Sequence, residues 1–495
     1  MINMLQKSKI YNVSSNKSSD TVTSQSWPIW MIWKRRRYVV AILTFFGFFN
    51  IYALRANLSI AIVAMTAKTE VVQENGTIAF IREFDWDSKV QGYVLSSFFY
   101  GYIVTQLVGG WMAAKFGGKH VFGIGIAVTG ALTVVSPFVA KQSVSLLIAV
   151  RILEGLFEGV TYPCVHAIWA EWAPPLERSR LAAIAFSGCY VGTVVAMPLS
   201  ALLADTLGWE SIFYVTGGIA LLWFVCWCII IADSPTLDSR ISDSELRYIQ
   251  ESLGEQQVNR TAKHPWRSII TSVPVWAIVV AHFTENWGFY TLLTQLPTFM
   301  KDTLNFELSS TGIVAAVPYL VVSITTQVAG HLADWLQEKK ILNTTQVRKI
   351  FNCVAYIGQA VFLLLAGYLL SPIGSTICLS FAVGIGGLQA SGFGVNHLDI
   401  APQHASVLLG ISNTVATIPG IVSPIVSGYI VTTPTASEWQ IVFIISSCIY
   451  VCGAIFYGVF ASGELQPWAK HTYNASDNST TERQSNDEHS VHISD

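Results

Sequence analysis

Residues 151–166 read RILEGLFEGVTYPCVH. They lie in an apolar run between Lys141 and Glu171, long enough for a transmembrane helix, which needs about 20 apolar residues. The run nevertheless carries Arg151, Glu154, Glu158 and His166. A charge at bilayer depth costs roughly 2.5–3.5 kcal/mol on insertion scales, so four ionisable groups in one span require a polar interior to face. At about 100° per residue, with Arg151 at zero, Glu158 falls near about −20°, Glu154 near about −60° and His166 near about +60°, a single polar arc of roughly 120°. Gly155 and Gly159 lie beside that arc, and small residues let a neighbouring helix or a ligand approach the backbone. Two readings fit this pattern. One is a structural cluster that neutralises itself. The other is a proton-relay and anion site inside a helix bundle, where the arginine holds a carboxylate and the glutamates exchange protons.

The composition supports a bundle in a bilayer. The chain has 495 residues, of which 52% are hydrophobic and 12% charged, about half the charged fraction of roughly 25% usual for soluble domains. Apolar blocks of about 20 residues recur along it, the signature of a polytopic membrane protein. The net charge of −2 excludes a generally basic nucleic-acid binder. The eight cysteines (Cys164, Cys189, Cys226, Cys228, Cys353, Cys378, Cys448 and Cys452) all fall in apolar spans without zinc-ligand spacing, and are expected to act as small buried hydrophobes. No metal and no cofactor is implied. The ionisable residues come with no metal spacing, nucleophile elbow or phosphate loop, so an enzyme is not expected.

Read in order, residues 1–33 are polar and read as a mobile cytosolic tail without a cleavable signal peptide; Lys34-Arg35-Arg36-Arg37 completes the tail as 1–37. By the positive-inside rule this basic run stays cytosolic. The first span runs from Tyr38 to about residue 65. The loop at about 67–89 is rich in acids and reads as lumenal, with Asn75-Gly76-Thr77 as a glycosylation sequon. Further spans read as about 90–113, 120–140, 144–166, 180–203 and 211–231. The charged stretch 232–273 reads as a cytosolic linker. Six more spans follow at about 274–300, 311–333, 350–370, 374–397, 404–431 and 438–461, and then a disordered cytosolic tail, 462–495. The fold class is therefore all-α, with twelve transmembrane helices in two six-helix halves (38–231 and 274–461), the layout of two-half transporters. Gly109-Gly110-Trp111 through Lys115, Gly117 and Lys119 ends span two, and Gly330 through Asp334 to Lys340 ends span eight. This internal echo predicts a duplicated gating loop with Gly110, Lys115, Gly117, Lys119 and Asp334 as its parts.

Other polar residues sit at membrane depth. Span one holds Asn50, Tyr52 and Arg55. Arg55 lies too far past the basic run to reach back to the cytosol, and its planar fork suits a carboxylate or phosphate. Span seven holds His282, Glu285, Asn286 and Tyr290 on one helical stripe, where His282 and Glu285 could simply neutralise each other. Gly392, Gly394, Asn396, His397 and Asp399 make a polar end to span ten, suited equally to helix capping and to transport. Pro163, Pro198, Pro297, Pro318, Pro419 and Pro424 lie in or near spans, where kinks are expected.

Long ordered stretches also resemble a known family. FFGFFNIYALRANLSIAIVAM (45–65), SSFFYGYIVTQLVGGW (96–111), RILEGLFEGVTYPCVHAIWAEWAPPLERSRL (151–181), VVAHFTENWGFYTLLTQLPTFM (279–300), SGFGVNHLDIAPQHASVLLGISNTVATIPG (391–420) and ASGELQPWA (461–469) are similar to the anion:cation symporter branch of the major facilitator superfamily. That branch includes sialin, the vesicular glutamate transporters and the so-called inorganic phosphate cotransporters, and the chain looks most like sialin and its invertebrate relatives. The resemblance implies the twelve-helix fold of that superfamily and symport of an organic anion (sialic acid, acidic sugars or acidic amino acids) with a proton by alternating access. Sodium-dependent phosphate or organic-anion cotransport, and vesicular glutamate or aspartate transport, are the alternatives. Carried over by position, Arg55 would meet the anion; Tyr52, His282, Asn286 and Tyr290 would line its pocket; Arg151, Glu154, Glu158, His166 and Glu285 would carry charge and proton coupling. Where the glutamate-vesicle members carry a span-two histidine, a span-seven arginine and a span-four glutamine, this chain has Leu95, Glu285 and Glu154. More acid and less base favour proton symport. The implied partners are a small anionic solute, a coupling proton or sodium ion and the lipid bilayer, with no nucleic acid and a monomeric chain. Residues 1–33 show no acidic dileucine signal, so lysosome, vesicle and plasma membrane all stand as destinations.

Overall fold

The computed structural model describes residues 34–72, 78–174, 177–254, 264–304, 306–369, 371–433 and 435–469. Asn75 and both expected tails beyond these bounds lie outside the described residues. The first half contains α1 (Arg36–Met65), α2 (Ser88–Phe116), α3 (Gly118–Gln142), α4 (Val144–Glu158), α5 (Thr161–Trp172), α6 (Arg178–Leu207) and α7 (Glu210–Ile230). Two short helices follow, α8 (Asp243–Gly254) and α9 (Trp266–Thr271). The second half contains α10 (Val273–Asp302), α11 (Leu308–Glu338), α12 (Thr344–Leu369), α13 (Pro372–Ile385), α14 (Phe393–Ile400), α15 (Ala405–Ile430) and α16 (Ala436–Phe460). Counting α4 with α5 and α13 with α14 gives six long segments per half. Among the described residues, nine helices are long and apolar enough to cross a membrane; α2, the α4–α5 segment and α10 complete the twelve. The α4 helix alone carries three charges within its 15 residues. Most helices overrun the apolar blocks seen in the sequence, because a 30-residue helix such as α1 is about 45 Å long and the hydrocarbon layer is only about 30 Å thick.

The packing repeats between the halves. In the first, α1 packs on α6, α2 on α4, α3 on α7 and α3 on α4; in the second, α10 packs on α15, α11 on α13, α12 on α16 and α12 on α13. These are the same four pairings in the same order. The halves meet along two seams, α6 with α11 and α2 with α15. The fourth segment of each half is broken. In the first half, α4 stops at Glu158 and α5 begins at Thr161. In the second, a 3-10 segment (Gly386–Ser391) separates α13 from α14. Broken helices at matching places in two repeats are where transporters of this architecture put their sites.

The two ends of the bundle differ. At one end, β1 (Lys68–Val72) and β2 (Ile78–Arg82) pair as an antiparallel hairpin, a local exception to the all-helical expectation. Nearby, Tyr93 of α2 bonds Tyr429 of α15 at 2.8 Å, and a Cβ on Gly92 would sit 2.6 Å from the Pro424 carbonyl oxygen. The α2–α15 seam is thus closed there. At the other end, two acidic residues of the linker, Asp238 and Glu245, and Glu177 just before α6 grip the start of α1. Arg36 Nε meets Asp238 at 2.6 Å, while Arg37 meets Glu245 at 2.8 Å and Glu177 at 2.7 Å. The linker is therefore fastened to the first half. Pro198, Pro297, Pro318, Pro419 and Pro424 lie inside helices, as does Pro137, which the sequence reading had not singled out. All eight cysteines are free. Cys164, Cys189 and Cys378 are buried, but Cys228, Cys448 and Cys452 are exposed, which corrects the expectation that all are buried fillers.

Candidate functional site

Between the halves lies a cavity of about 800 Å³, in the size range of small-molecule sites. Its wall is aromatic with sparse polar groups: Tyr52, Tyr102, Tyr162 and Tyr190 from the first half face His282, Glu285, Asn286, Tyr290, Tyr319 and Tyr450 from the second. Trp266 of α9 and Val407 of α15 also line it, so it extends toward the linker end, away from the Tyr93–Tyr429 closure.

Arg55 lies behind this wall. It is 6% exposed, and its guanidinium carbon stands 4.9 Å from the Tyr52 ring centroid, 4.8 Å from Tyr102 and 5.0 Å from Phe98. A guanidinium over aromatic faces is held by their quadrupoles. Its charge is met by Glu158, which bonds Arg55 through Nε at 3.2 Å and through Nη2. Both groups keep spare capacity, since Arg55 Nη1 and Glu158 Oε2 are buried without a hydrogen-bond partner.

Next to this pair is a second one. Arg151 Nη1 donates to Glu154 Oε2 at 2.5 Å. Glu154 Oε1 also accepts from Thr133 at 3.0 Å and from Ser136 at 3.4 Å, both on α3. Phe98 lies against both arginines, with Arg151 at 5.3 Å from its centroid. All four ionisable groups are at most 6% exposed. The glycines beside them serve helix packing. A Cβ on Gly155 would strike the backbone of Phe98 and Tyr102, and one on Gly159 that of Tyr102, so α2, and not a ligand, takes the space they leave.

The single arc expected for residues 151–166 does not hold throughout. Arg151, Glu154 and Glu158 share α4, but the helix breaks at Gly159-Val160, and His166 belongs to α5, where its side chain lies outside those described. Arg55 is engaged by Glu158 and Arg151 by Glu154, so the charges resolve into two pairs instead of one relay centred on Arg151. Glu285 is not part of this network. It sits on α10 in the opposite wall, against Gln359 and Gln389. It does not neutralise His282, which turns to Ser412 of α15 (Nδ1 to Oγ, 3.1 Å). Ser412 in turn meets His397 Nε2 at 3.1 Å, forming a chain from the cavity wall to α14. Asn286 donates to the Ala416 carbonyl at 2.9 Å, tying α10 to α15. Tyr52 bonds Tyr162 at 3.0 Å, and Tyr290 stacks edge-on with Phe99 at 4.5 Å.

At the polar end of span ten, Asp399 pairs with Arg348 at 2.7 Å and Asn396 with Tyr457 at 2.9 Å, which are structural ties. The two echoed loops differ in detail. Gly110 and Lys115 belong to α2, and Lys115 packs over Trp111 at 4.9 Å. Gly117, at φ 87°, makes the turn between α2 and α3, a conformation that favours glycine. Lys119 reaches Asp233 at 3.7 Å. In the second loop Asp334 is exposed and has no ion pair among the described residues.

Sequence reasoning missed Tyr102, Gln359, Gln389 and Ser412. Gln359, alone in the apolar run AYIGQAVFLLL, carried a usable signal, because a polar side chain at bilayer depth needs a reason. Tyr102 carried none, since a tyrosine among apolar residues reads as core.

Residues 40–424 match the Major Facilitator Superfamily. The chain is 45% identical to vesicular glutamate transporter 1 of Xenopus tropicalis over 439 residues, 88% of this chain and 76% of that one. It is also 45% identical to human sialin over 449 residues, 88% of this chain and 90% of that one. Among solved structures, a bacterial homolog to the human lysosomal transporter Spinster, in an inward-facing and occupied conformation, superposes with a TM-score of 0.66 at 13% identity, over 89% of this chain and 98% of the other. The protein is a multi-pass membrane transporter: the chain belongs to the Major Facilitator Superfamily and, within it, to the anion:cation symporter family.

Proposed function

We propose that the protein carries organic anions across its membrane together with protons, with Arg55 as the anion-binding group and Glu158 as the proton carrier. The observation that carries this reading is the buried Arg55–Glu158 pair behind the aromatic wall of the cavity, with one unpartnered donor on the arginine and one unpartnered acceptor on the glutamate. A carboxylate beside a lone arginine acts as a tethered competitor for any incoming anion. Protonating Glu158 from the acidic side removes that competitor, and Arg55 then takes the solute carboxylate or phosphate in a planar fork. The halves rock about the filled site. Loss of the proton on the other side restores the Arg55–Glu158 pair and expels the anion. In this reading the state closed at Tyr93–Tyr429, extended toward the linker and paired at Arg55 is the carrier after release.

In this reading the linker, 232–273, and both termini face the cytosol, the hairpin end faces the lumen or exterior, and Asn75 carries the glycan. The basic run at 34–37 supports the orientation. Sialic acid, acidic sugars and acidic amino acids are the proposed solutes, a lysosomal or vesicle membrane the proposed location and a monomer the proposed unit. Sequence identity to sialin and to a vesicular glutamate transporter is the same, which keeps acidic amino acids beside acidic sugars. Uptake of labelled glucuronate, sialic acid, aspartate and phosphate into proteoliposomes, with and without an inward acid gradient and in sodium or choline salts, tests the proposal. Gradient-driven uptake in choline is expected. Uptake that needs sodium and ignores the gradient would favour the phosphate-cotransporter alternative.

A further inference from the structure

The cavity wall opposite Arg55 holds an acid without a base. Glu285 lines the cavity, and no lysine, arginine or histidine forms an ion pair with it among the described residues. Its Oε2 is buried with no hydrogen-bond partner. The same holds for the Oε1 atoms of Gln359, on α12, and Gln389, in the 3-10 break of the tenth span. Both glutamines stand against Glu285 and line the same cavity, and Gln359 is only 4% exposed. Three acceptor oxygens with no donor among the described residues, gathered at a break in a helix and facing the cavity, are open to a donor or a positive charge supplied from it. An anion would be repelled there by an ionised Glu285. A metal needing several acids or imidazoles has no such group among the described residues.

We propose that Glu285, Gln359 and Gln389 form a subsite for a monovalent cationic group, supplied either as the ammonium of a zwitterionic solute or as an alkali ion. The proposal rests on the anion site described above and extends it to a dipolar site. Tyr290, which covers Arg55 from the second half, is five residues after Glu285 on α10, about 7.5 Å along the helix axis. A solute with a carboxylate at Arg55 and an ammonium at Glu285 would join the first half to the second. Binding would then draw the halves together, as alternating access requires.

Binding to the purified full-length protein tests this with a matched pair of probes. L-aspartate and succinate share a carbon skeleton and differ in the ammonium. Each is titrated in sodium chloride and in choline chloride, for the wild type, Glu285→Gln and Gln359→Leu, with thermal unfolding recorded for each variant. If the ammonium is the ligand, the wild type prefers aspartate by about tenfold or more, and Glu285→Gln removes the preference. If an alkali ion is the ligand, both probes bind more tightly in sodium than in choline, and Glu285→Gln removes that difference. Gln359→Leu weakens the same quantity in either case. An aspartate-to-succinate ratio and a salt dependence that are identical in wild type and Glu285→Gln overturn the subsite while leaving the anion site standing. Failure of the wild type to bind any of the anions tested overturns both.

Discussion

Arg55 on α1 and Glu158 on α4 form an ion pair 103 residues apart in sequence, buried beneath Tyr52, Tyr102 and Phe98. Removing one member of a buried pair leaves an uncompensated charge and costs about 3–5 kcal/mol, whereas replacing both with apolar residues of similar volume is often neutral. Arg55→Met is therefore expected to lower the unfolding temperature in detergent, and the double variant Arg55→Met/Glu158→Met to restore it. Neither should transport. A double variant that recovers transport along with stability would remove Arg55 from the anion site.

The chain His282–Ser412–His397 offers protons a route from the cavity wall to α14. Ser412→Ala breaks the chain at one oxygen and removes no charge. A hydrogen bond of this kind contributes only about 1 kcal/mol, so the fold should survive. The expected result is slower gradient-driven flux with little change in anion affinity. Unchanged flux over the whole pH range would assign these residues to packing alone.

The twelve-segment layout was legible because lipid requires long apolar helices with every backbone group satisfied within them. Their ends were blurred, since helices such as α1 and α11 continue past the apolar block. The pairing of the charges was not legible. Helical spacing placed Arg151, Glu154 and Glu158 on one side of α4, but Glu158 takes its partner from α1, which only the fold brings near. The break after Glu158 was also hidden, because Gly159 fits a close helix contact as readily as a helix end. Arg36 and Arg37 read as orientation signals, and their use as anchors for linker acids depends on where α8 docks.

The Arg37–Glu177 pair beside that anchor is sensitive to pH. Partial burial of Glu177 opposes its ionisation, but the hydrogen bond and charge of Arg37 and the Tyr248 hydroxyl outweigh it and hold the carboxyl below its usual value. A carboxyl depressed in the folded state contributes stability above its unfolded pKa, about 4.3 for glutamate, and the contribution is lost as pH falls through the folded value. Wild type should therefore unfold at a higher temperature than Glu177→Gln near neutral pH. The gap should close well below about pH 4. A gap constant with pH would show that Glu177 acts through packing.

At the opposite end, Gly92 lets α2 lie against the Pro424 carbonyl. Gly92→Val places side-chain atoms where backbone now sits, so it strains the closed seam and leaves a state open at the hairpin end unstrained. Cysteines introduced near Tyr93 should then react faster with a membrane-impermeant thiol reagent from that side than they do without the substitution. Equal rates would mean that the seam does not govern access.

The account turns on Glu158 competing with the solute for Arg55 and yielding when protonated. The most direct test is the pH dependence of anion affinity in the purified protein, compared between wild type and Glu158→Gln. Wild-type affinity should rise as pH falls, approaching about tenfold per pH unit for a single linked proton, while Glu158→Gln should bind tightly and with little pH dependence. The same pH slope in both proteins, or weaker binding by Glu158→Gln at every pH, would contradict it.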